Sequence, residues 1–339
     1  MPKVTIAIPV YNGAKHLDRL CKSLFQQTFS DIEFLFVDDC STDNSISIIK
    51  QQLDLYPERF PNTRIITHDH NQGLAANKTE CFLQATGDYL LVIDDDDDLE
   101  LNTIEILYNK AIDDDADIVV SDFFWHTNGK IRRINFLPEN APDTSNAIRN
   151  SILDRTCSWP TIWCKLFRRS LFTSNPVVWP TDSLGEDVLI SATSAYFAHS
   201  ISYVRIPLYH YYLHHDSFSN NPSESYCISR FNSYAANLRI MEEFYSRQGI
   251  SITHQNGLQV TKIQVKNKIL PLVGKRKYRK LWLSSYPEIN KAMWHGGFQS
   301  HHSTWREKLW LLAIATGTLP HIKKFLLRKR FRPDSYWRS

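Results

Sequence analysis

The sequence of 339 residues predicts an α/β fold in which helices cover both faces of a mostly parallel sheet. Two observations indicate this fold class. Short apolar runs rich in β-branched residues recur between residues 4 and 122, and amphipathic segments with helical spacing separate them. Because the runs lack the alternation of half-exposed strands, they indicate buried parallel strands joined by crossover helices.

The predicted elements follow one another in a regular order. Strands are expected at 4–10, 32–39, 64–69, 89–94 and 117–122, and helices at 14–27, after residue 42, at 74–85 and at 100–114. The first strand ends at the turn signal Tyr11-Asn12-Gly13, and Ser41 or Thr42 is a candidate N-cap of the second helix. In such sheets, ligands bind beyond the carboxyl ends of the strands.

The rest of the chain differs in pattern and in charge. Residues 123–222 read as less regular, and helical spacing returns at 228–248. We therefore expect a nucleotide-binding and catalytic domain at 1–222 and a helical region at 223–339. From residue 262 onward the chain has 18 Lys/Arg and 3 Asp/Glu, whereas the preceding residues have 21 and 33.

The basic end of the chain predicts an anionic partner. Residues 304–331 combine Trp and Leu with Lys and Arg, a pattern typical of a helix at an anionic membrane surface. A packed helical appendage or a dimer contact is the alternative. Nucleic acid is not expected as a partner, because no recognised binding motif accompanies the charge.

The cysteines and the amino terminus predict a cytoplasmic protein. The six cysteines are scattered without a CxxC pair, which favours free thiols in a reducing compartment. "MPKVTIAIPVYNG" reads as a first strand and not as a signal peptide, and no apolar run is long enough to span a membrane.

Five consecutive aspartates, Asp94–Asp98, follow the fourth predicted strand. Alternate residues of an extended chain share a side, so Asp94, Asp96 and Asp98 can form one acidic face. Hard cations such as Mg²⁺ and Mn²⁺ prefer these oxygen ligands. A solvated acidic turn is equally compatible with the composition, but the position at a strand's carboxyl end favours a metal site.

A second acidic element, "FVDDCSTDNS", follows the second strand and places Asp39 where it could accept hydrogen bonds from a base or ribose. Taken alone, this stretch also fits an ordinary strand-to-helix turn. GxGxxG and GxxxxGK[ST] are both absent, which weakens the case for a dinucleotide-binding or P-loop protein.

The stretches "IAIPVYNGAKHLDRLCKSLFQQTFSDIEFLFVDDCSTDNS" and "NQGLAANKTECFLQATGDYLLVIDDDDD" resemble the family 2 glycosyltransferases. These are inverting enzymes with the GT-A fold, a Rossmann-like α/β fold that binds nucleotide sugars. The resemblance is close over residues 3–125 and looser to about residue 219. It implies a GT-A domain followed here by a helical carboxyl-terminal extension.

The resemblance also implies a nucleotide site and a metal ligand. The nucleotide-binding residues would be Pro9, Val10, Tyr11, Asn12, Asp39, Lys78, Asp94 and Asp95. Asp39 would bind the base and Asp94 the ribose, and Lys78, where the family usually has Arg, would lie near the phosphates. Asp96 of the DXD motif would bind Mn²⁺ or Mg²⁺ on the diphosphate. Asp98 stands where an aromatic residue is more usual.

The catalytic and acceptor residues come later in the chain. The resemblance of "WCKLFRRSLF" and "GEDVLI" to family landmarks implies that Asp187 is the general base, although a Glu-Asp pair is also typical of any helix N-terminus. Tyr212 stands where Arg is common, and His214 or His215 could approach the metal or diphosphate instead. Trp159, Trp163 and Glu186 are candidates for the acceptor side, with core packing as the alternative for the tryptophans.

These residues predict a metal-dependent inverting glycosyltransferase. It would move a sugar from a uridine diphosphate sugar to a hydroxyl of a glycan or lipid-linked acceptor in bacterial surface polysaccharide synthesis, at the inner face of the cell membrane. The alternatives are a sugar-phosphate nucleotidyltransferase, which would need a Gly-rich loop after the first strand, and an inactive module that binds a nucleotide sugar or a divalent ion.

Overall fold

The computed structural model describes residues 2–127, 129–157, 159, 161–181, 184–213, 223–295 and 305–317. The chain divides into two compact units, residues 1–153 with 157–214 and residues 154–156 with 215–339. The sequence-based division into domains 1–222 and 223–339 remains a prediction.

Within the described residues, the strands of the first unit form one nine-stranded sheet in the order β3-β2-β1-β4-β8-β6-β9-β5, with β7 beside β6. The strands are β1 (Val4–Val10), β2 (Ile32–Asp38), β3 (Thr63–Thr67), β4 (Tyr89–Val92), β5 (Asp98–Leu99), β6 (Ile118–Thr127), β7 (Lys130–Ile134), β8 (Lys165–Arg168) and β9 (Ile201–Tyr212). Strands β3, β2, β1 and β4 are parallel, as are β6 and β9, whereas β8 is antiparallel to both β4 and β6. The predicted fold class is confirmed.

Helices connect these strands as the hydrophobic spacing predicts. The helices of the first unit are α1 (Ala14–Phe25), α2 (Ser45–Leu55), α3 (Leu74–Gln84), α4 (Thr103–Asp113), α5 (Ser145–Leu153), α6 (Ser170–Thr173) and α7 (Glu186–Phe197). Helix α1 buries the predicted face against the sheet, including Leu17, Leu20 and Leu24. The carboxyl ends of β1, β2 and β4 therefore lie at one edge of the parallel half of the sheet.

Two local predictions are wrong. The segment 123–222, which was expected to be less regular, contains regular elements where the structure describes it: β6 extends to Thr127, and further strands and helices follow. Strand β7, "KIRRI", is largely exposed and charged, so it lacks the apolar pattern of a strand. Ser41 and Thr42 do not cap α2, which begins at Ser45; the carboxylate of Asp43 accepts the Ser45 N–H at 2.9 Å instead.

The second unit is helical. Its helices are α8 (Glu224–Arg247), α9 (Gln255–Asn267), α10 (Arg276–Ser284), α11 (Pro287–His295) and α12 (Trp305–Thr316). Its core includes Ile269, Val273, Trp282 and Ile314. Among the described residues, no helix combines the length and the apolar character that crossing a membrane requires.

Candidate active site

Asp39 lies at the end of β2 as the sequence predicts, and it is 1% exposed. One carboxylate oxygen accepts the Gln72 N–H at 2.7 Å and lies 2.8 Å from His68 Nδ1. The other oxygen accepts the Gly73 N–H at 2.8 Å, at the start of α3. A carboxylate oxygen has two acceptor positions, so this second oxygen keeps one for a further donor such as the N–H of a base.

His68 contacts the Asp39 carboxylate directly. Its Nε2 lies 2.8 Å from the Glu80 carboxylate, so the ring bridges two acids. Burial lowers the pKa of His68, but the hydrogen bonds to Asp39 and Glu80 outweigh burial, and the net pKa lies above its ordinary value. His68 was not predicted as a site residue, although its position directly after the third parallel strand could have indicated it.

The turn after β1 is held against the acidic run. The Tyr11 N–H donates to the Asp95 carboxylate at 3.1 Å, and the Asn12 side chain accepts the Thr42 N–H at 2.8 Å. A Cβ atom at Gly13 would lie only 2.5 Å from Asp95 Oδ2, so this approach requires glycine. The Tyr11 side chain is 50% exposed and free to contact a ligand, whereas Asp95 points towards this turn.

Pro9 and Val10, the two other predicted nucleotide contacts, are buried at the end of β1. The Val10 side chain belongs to the main core. Its carbonyl accepts the Asp39 N–H at 2.8 Å, which joins the ends of β1 and β2. Pro9 and Val10 therefore contribute to the site through their backbone, which leads into Tyr11.

The aspartates after β4 are crowded and partly buried. Burial and repulsion from Asp94 raise the pKa of Asp96 to about 6, and burial and Asp96 raise that of Asp95 to about 8. Asp97 is buried and accepts the Tyr209 hydroxyl at 2.6 Å and the Tyr212 N–H at 2.8 Å. The aspartates of the run therefore lie in different environments, and Asp97 connects the run to β9.

Arg19 of α1 holds the acidic run at Asp96 and Asp98. Its guanidinium donates to the Asp96 carbonyl at 2.5 Å and lies 2.7 Å from Asp98 Oδ2. The same group stacks 3.7 Å from the centre of the Tyr212 ring, whose hydroxyl donates to Asp98 at 3.1 Å. Asp98 and Tyr212, two of the residues that depart from the family pattern, therefore contact each other and share Arg19.

Asp187 and Glu186 begin α7, directly after Gly185, which has a left-handed φ of 83°. Both carboxylates lie 3.0 Å from Lys78 Nζ, and Asp94 lies 3.1 Å from the same atom. Burial raises the pKa of Asp187 to about 6, against the opposing effect of Lys78. The structure thus brings the predicted base, the first aspartate of the acidic run and Lys78 together.

The tryptophan candidates differ in exposure. Trp163 is 3% exposed, and its ring stacks on Tyr209 and Tyr211 at centroid distances of 4.4 and 5.5 Å. It therefore packs in the core, as the alternative for the tryptophans has it, and its assignment to the acceptor side stays a prediction. Trp159 is only partly buried and contacts Trp125 and Tyr211 at the edge of the same cluster. The remaining candidates, His214 and His215, lie outside the described residues.

The donor atoms of this site fit a divalent cation that shares its ligands with a substrate. Among the residues described, no three His, Cys, Asp or Glu side chains are grouped to hold a metal ion without further ligands. Mg²⁺ and Mn²⁺, however, often bind one or two carboxylates together with substrate phosphates. Asp94 and Asp96 repel each other, as the raised pKa of Asp96 shows, and a cation would relieve that repulsion.

Known proteins resemble the chain in sequence. The model of "Glycosyl transferase family 2" matches residues 5–181. A cholesterol galactosyltransferase of Borreliella burgdorferi is 29% identical over 264 residues, which cover 75% of this chain and 70% of that protein. A poly(ribitol-phosphate) β-N-acetylglucosaminyltransferase of Staphylococcus aureus, TarP, is 26% identical over 245 residues, 70% of each chain.

Solved structures share the fold. Staphylococcus aureus TarS in complex with UDP-GlcNAc superposes with a TM-score of 0.58 at 18% identity, covering 87% of this chain and 92% of that chain. A mannosyltransferase of Pyrobaculum calidifontis in complex with GDP-Man and Mn²⁺ gives a TM-score of 0.53 at 14% identity, covering 96% and 87%. At these identities the likeness concerns the fold alone.

Proposed function

The chain belongs to glycosyl transferase family 2, and from this premise we propose that it is a metal-dependent inverting enzyme that uses a uridine diphosphate sugar. The acceptor is a hydroxyl of a glycan or a lipid-linked glycan in the synthesis of a bacterial surface polysaccharide. The observation that carries the proposal is the shared contact of Asp94 and Asp187 with Lys78 Nζ, at 3.1 and 3.0 Å. This contact supports the proposal because Asp187 then lies near the acidic run, at the edge of the sheet where we propose that the nucleotide binds.

The proposed mechanism assigns one task to each group. Asp39 accepts a hydrogen bond from the base, Asp94 faces the ribose, and Asp96 is the protein ligand of a divalent cation. That cation would neutralise the negative charge of the departing diphosphate. Asp187 removes the proton of the acceptor hydroxyl as the hydroxyl oxygen attacks the anomeric carbon opposite the leaving group, which inverts the configuration.

The names of the similar proteins support the choice of donor and acceptor. TarS was solved with UDP-GlcNAc, and TarP is named for a poly(ribitol-phosphate) acceptor. The Borreliella burgdorferi relative is named for a lipid acceptor, cholesterol. We propose peripheral contact with the cytoplasmic face of the membrane, through the basic residues of the carboxyl-terminal region.

A donor panel tests the proposal. UDP-glucose, UDP-galactose, UDP-N-acetylglucosamine and GDP-mannose are each incubated with Mn²⁺, Mg²⁺ or a chelator, and release of nucleoside diphosphate is measured. We expect metal-dependent release from a uridine donor, loss of release in Asp96→Asn and Asp187→Asn, and little change in Asp54→Asn, an exposed acid of α2. Proton NMR of the product reports the anomeric configuration.

Four outcomes contradict the proposal or part of it. Release that continues without metal and in both variants excludes this mechanism. Retention of the anomeric configuration excludes the assignment of Asp187 as an inverting base. A protein that binds UDP and metal but turns over no donor would be the inactive binding module, whereas formation of a nucleotide sugar from a sugar phosphate and a nucleoside triphosphate would identify a nucleotidyltransferase.

A further inference from the structure

Lys78 of α3 is buried against carboxylates from two separate segments of the chain. Its side chain is 3% exposed, and its Nζ lies 3.1 Å from Asp94, 3.0 Å from Glu186 and 3.0 Å from Asp187. An ammonium group has three N–H donors and no acceptor. The lysine donates hydrogen bonds to Glu186 and Asp187 and forms an ion pair with Asp94, so carboxylates of this chain already surround its ammonium group.

The charge balance of this cluster depends on the lysine. Burial alone favours a neutral amine, yet the pKa of Lys78 is held well above its ordinary value by Asp187, Asp94 and Glu186. Without the cation, three acids would repel one another in a buried site. The Asp187 carboxylate would then be protonated over a wider pH range and would no longer be held in one place.

We propose that Lys78 is a positioning residue for Asp187 and not a ligand of the donor phosphates. Its ion pairs fix the Asp187 carboxylate at the start of α7, tie it to the acidic run through Asp94, and keep it ionised for proton removal. This inference rests on the proposed function, in which Asp187 is the base. It replaces the phosphate contact that the family resemblance implies for this position.

The two roles predict different effects of Lys78→Gln. A phosphate ligand would contribute to UDP binding, so its loss would weaken UDP affinity and leave the pH dependence of kcat unchanged. A positioning residue contributes through Asp187, so we expect kcat to fall about 100-fold, near the lower end of what a general base contributes. UDP affinity should change less than about threefold, and the acid limb of kcat should move to higher pH.

Companion variants separate these roles from a loss of folding. Lys78→Arg keeps the charge and should restore part of kcat and the position of the acid limb. Lys78→Gln combined with Glu186→Gln removes one buried acid together with the cation, so this double variant should fold where the single one fails. Lys165→Gln is the matched control, because Lys165 is also buried, at 1% exposure, but donates to the carbonyl of Thr161. It should lower stability without moving the acid limb.

Carbodiimide labelling of Asp187 provides a measurement that does not need activity. This reagent modifies protonated carboxyl groups, so the pH of half-maximal labelling, read by mass spectrometry, should rise by about one unit or more in Lys78→Gln. Unchanged labelling together with UDP affinity weakened more than tenfold would overturn the inference. If the wild-type protein turns over no donor, the proposed function fails, while labelling and UDP affinity still decide what Lys78 holds.

Discussion

At the residue scale, the proposed role of Asp187 as the general base predicts a pH range for the enzyme. Burial raises the pKa of Asp187 to about 6, and Lys78 opposes a larger rise. A general base acts in its deprotonated form, so kcat should be lost as pH falls through this pKa and reach a plateau above it. We expect kcat to drop about tenfold per pH unit below pH 6, measured with saturating donor and acceptor.

The Asp187→Asn variant is the control for this profile. It should bind UDP as the wild type does, since Asp187 has no assigned contact with the nucleotide, and its kcat should fall about 10² to 10⁴-fold. Any residual rate should lack the acid limb. An acid limb near pH 6 that persists in the variant would assign the titration to another group and contradict the role of Asp187.

The local geometry around Gly13 predicts the effect of a substitution there. A methyl group at this position would overlap Asp95 Oδ2 at 2.5 Å and push apart the turn after β1 and the acidic run. We expect Gly13→Ala to destabilise the fold by about 1–3 kcal/mol, as overpacking commonly does. It should also weaken UDP binding, measured by calorimetry, because Tyr11 would move with the turn.

Gly129→Ala is the matched variant for Gly13→Ala. Gly129 has a φ of +69° and nothing within 4 Å of an added Cβ, so alanine there is strained by its backbone alone. It should reduce thermal stability by about 1 kcal/mol and leave UDP binding unchanged. Equal UDP affinities in the two variants would show that the close approach at Gly13 does not shape the site.

At the element scale, α1 positions the acidic run through Arg19. This side chain joins the Asp96 carbonyl, the Asp98 carboxylate and the Tyr212 ring of β9. Loss of one charge-assisted interaction is worth about 1.5 kcal/mol, or about tenfold in an equilibrium constant. Arg19→Gln should therefore weaken Mn²⁺ binding in the presence of UDP about tenfold, as measured by electron paramagnetic resonance.

Lys22 on the same helix offers the control for Arg19. It is exposed and pairs with Asp18 at 2.7 Å, away from the acidic run. Lys22→Gln removes the same charge from α1 and should leave Mn²⁺ affinity unchanged. If both variants weaken Mn²⁺ binding equally, the effect does not come from the position of Arg19.

The parallel half of the fold was predictable from the sequence because three of its four strands, β1, β2 and β4, are buried on both faces. Strands such as "VTIAIPV" are continuous apolar runs, and the intervening helices have clear hydrophobic spacing. The antiparallel half was not, since β5 has two residues and β7 is mostly exposed. Such strands are specified by their partners in the sheet more than by their own residues.

The site also has a part that the sequence predicts and a part that it does not. Asp39, Asp94 and Asp96 lie at the ends of predicted strands, so their edge of the sheet followed from topology. The ion pair between Lys78 and Asp187 joins residues 109 positions apart, and nothing in either segment indicates the other. Long-range side-chain pairs of this kind depend on packing, which a single sequence does not reveal.

At the scale of the whole molecule, the chain separates its charges. The balance is acidic before residue 262 and strongly basic after it. Most of the stretch 304–331 lies outside the described residues. The start of α10 presents another part of the basic region, since its N-cap Lys275 and the helix residues Arg276, Lys277 and Lys280 are exposed. Glu224 pairs with Lys275 and Lys277 and offsets only part of this charge.

This charge separation predicts binding to anionic bilayers. A basic residue near an anionic surface contributes about 1 kcal/mol, and the contribution falls as salt rises. The protein should therefore sediment with phosphatidylglycerol vesicles at low salt, and less with phosphatidylcholine vesicles. Replacing Lys275, Arg276, Lys277 and Lys280 by Gln, or ending the chain before about residue 300, should each reduce sedimentation. All the proposed catalytic residues lie in the first unit, so the four-Gln variant should retain turnover of the UDP sugar on a water-soluble acceptor. Sedimentation that neither change affects would reject a membrane role for this region.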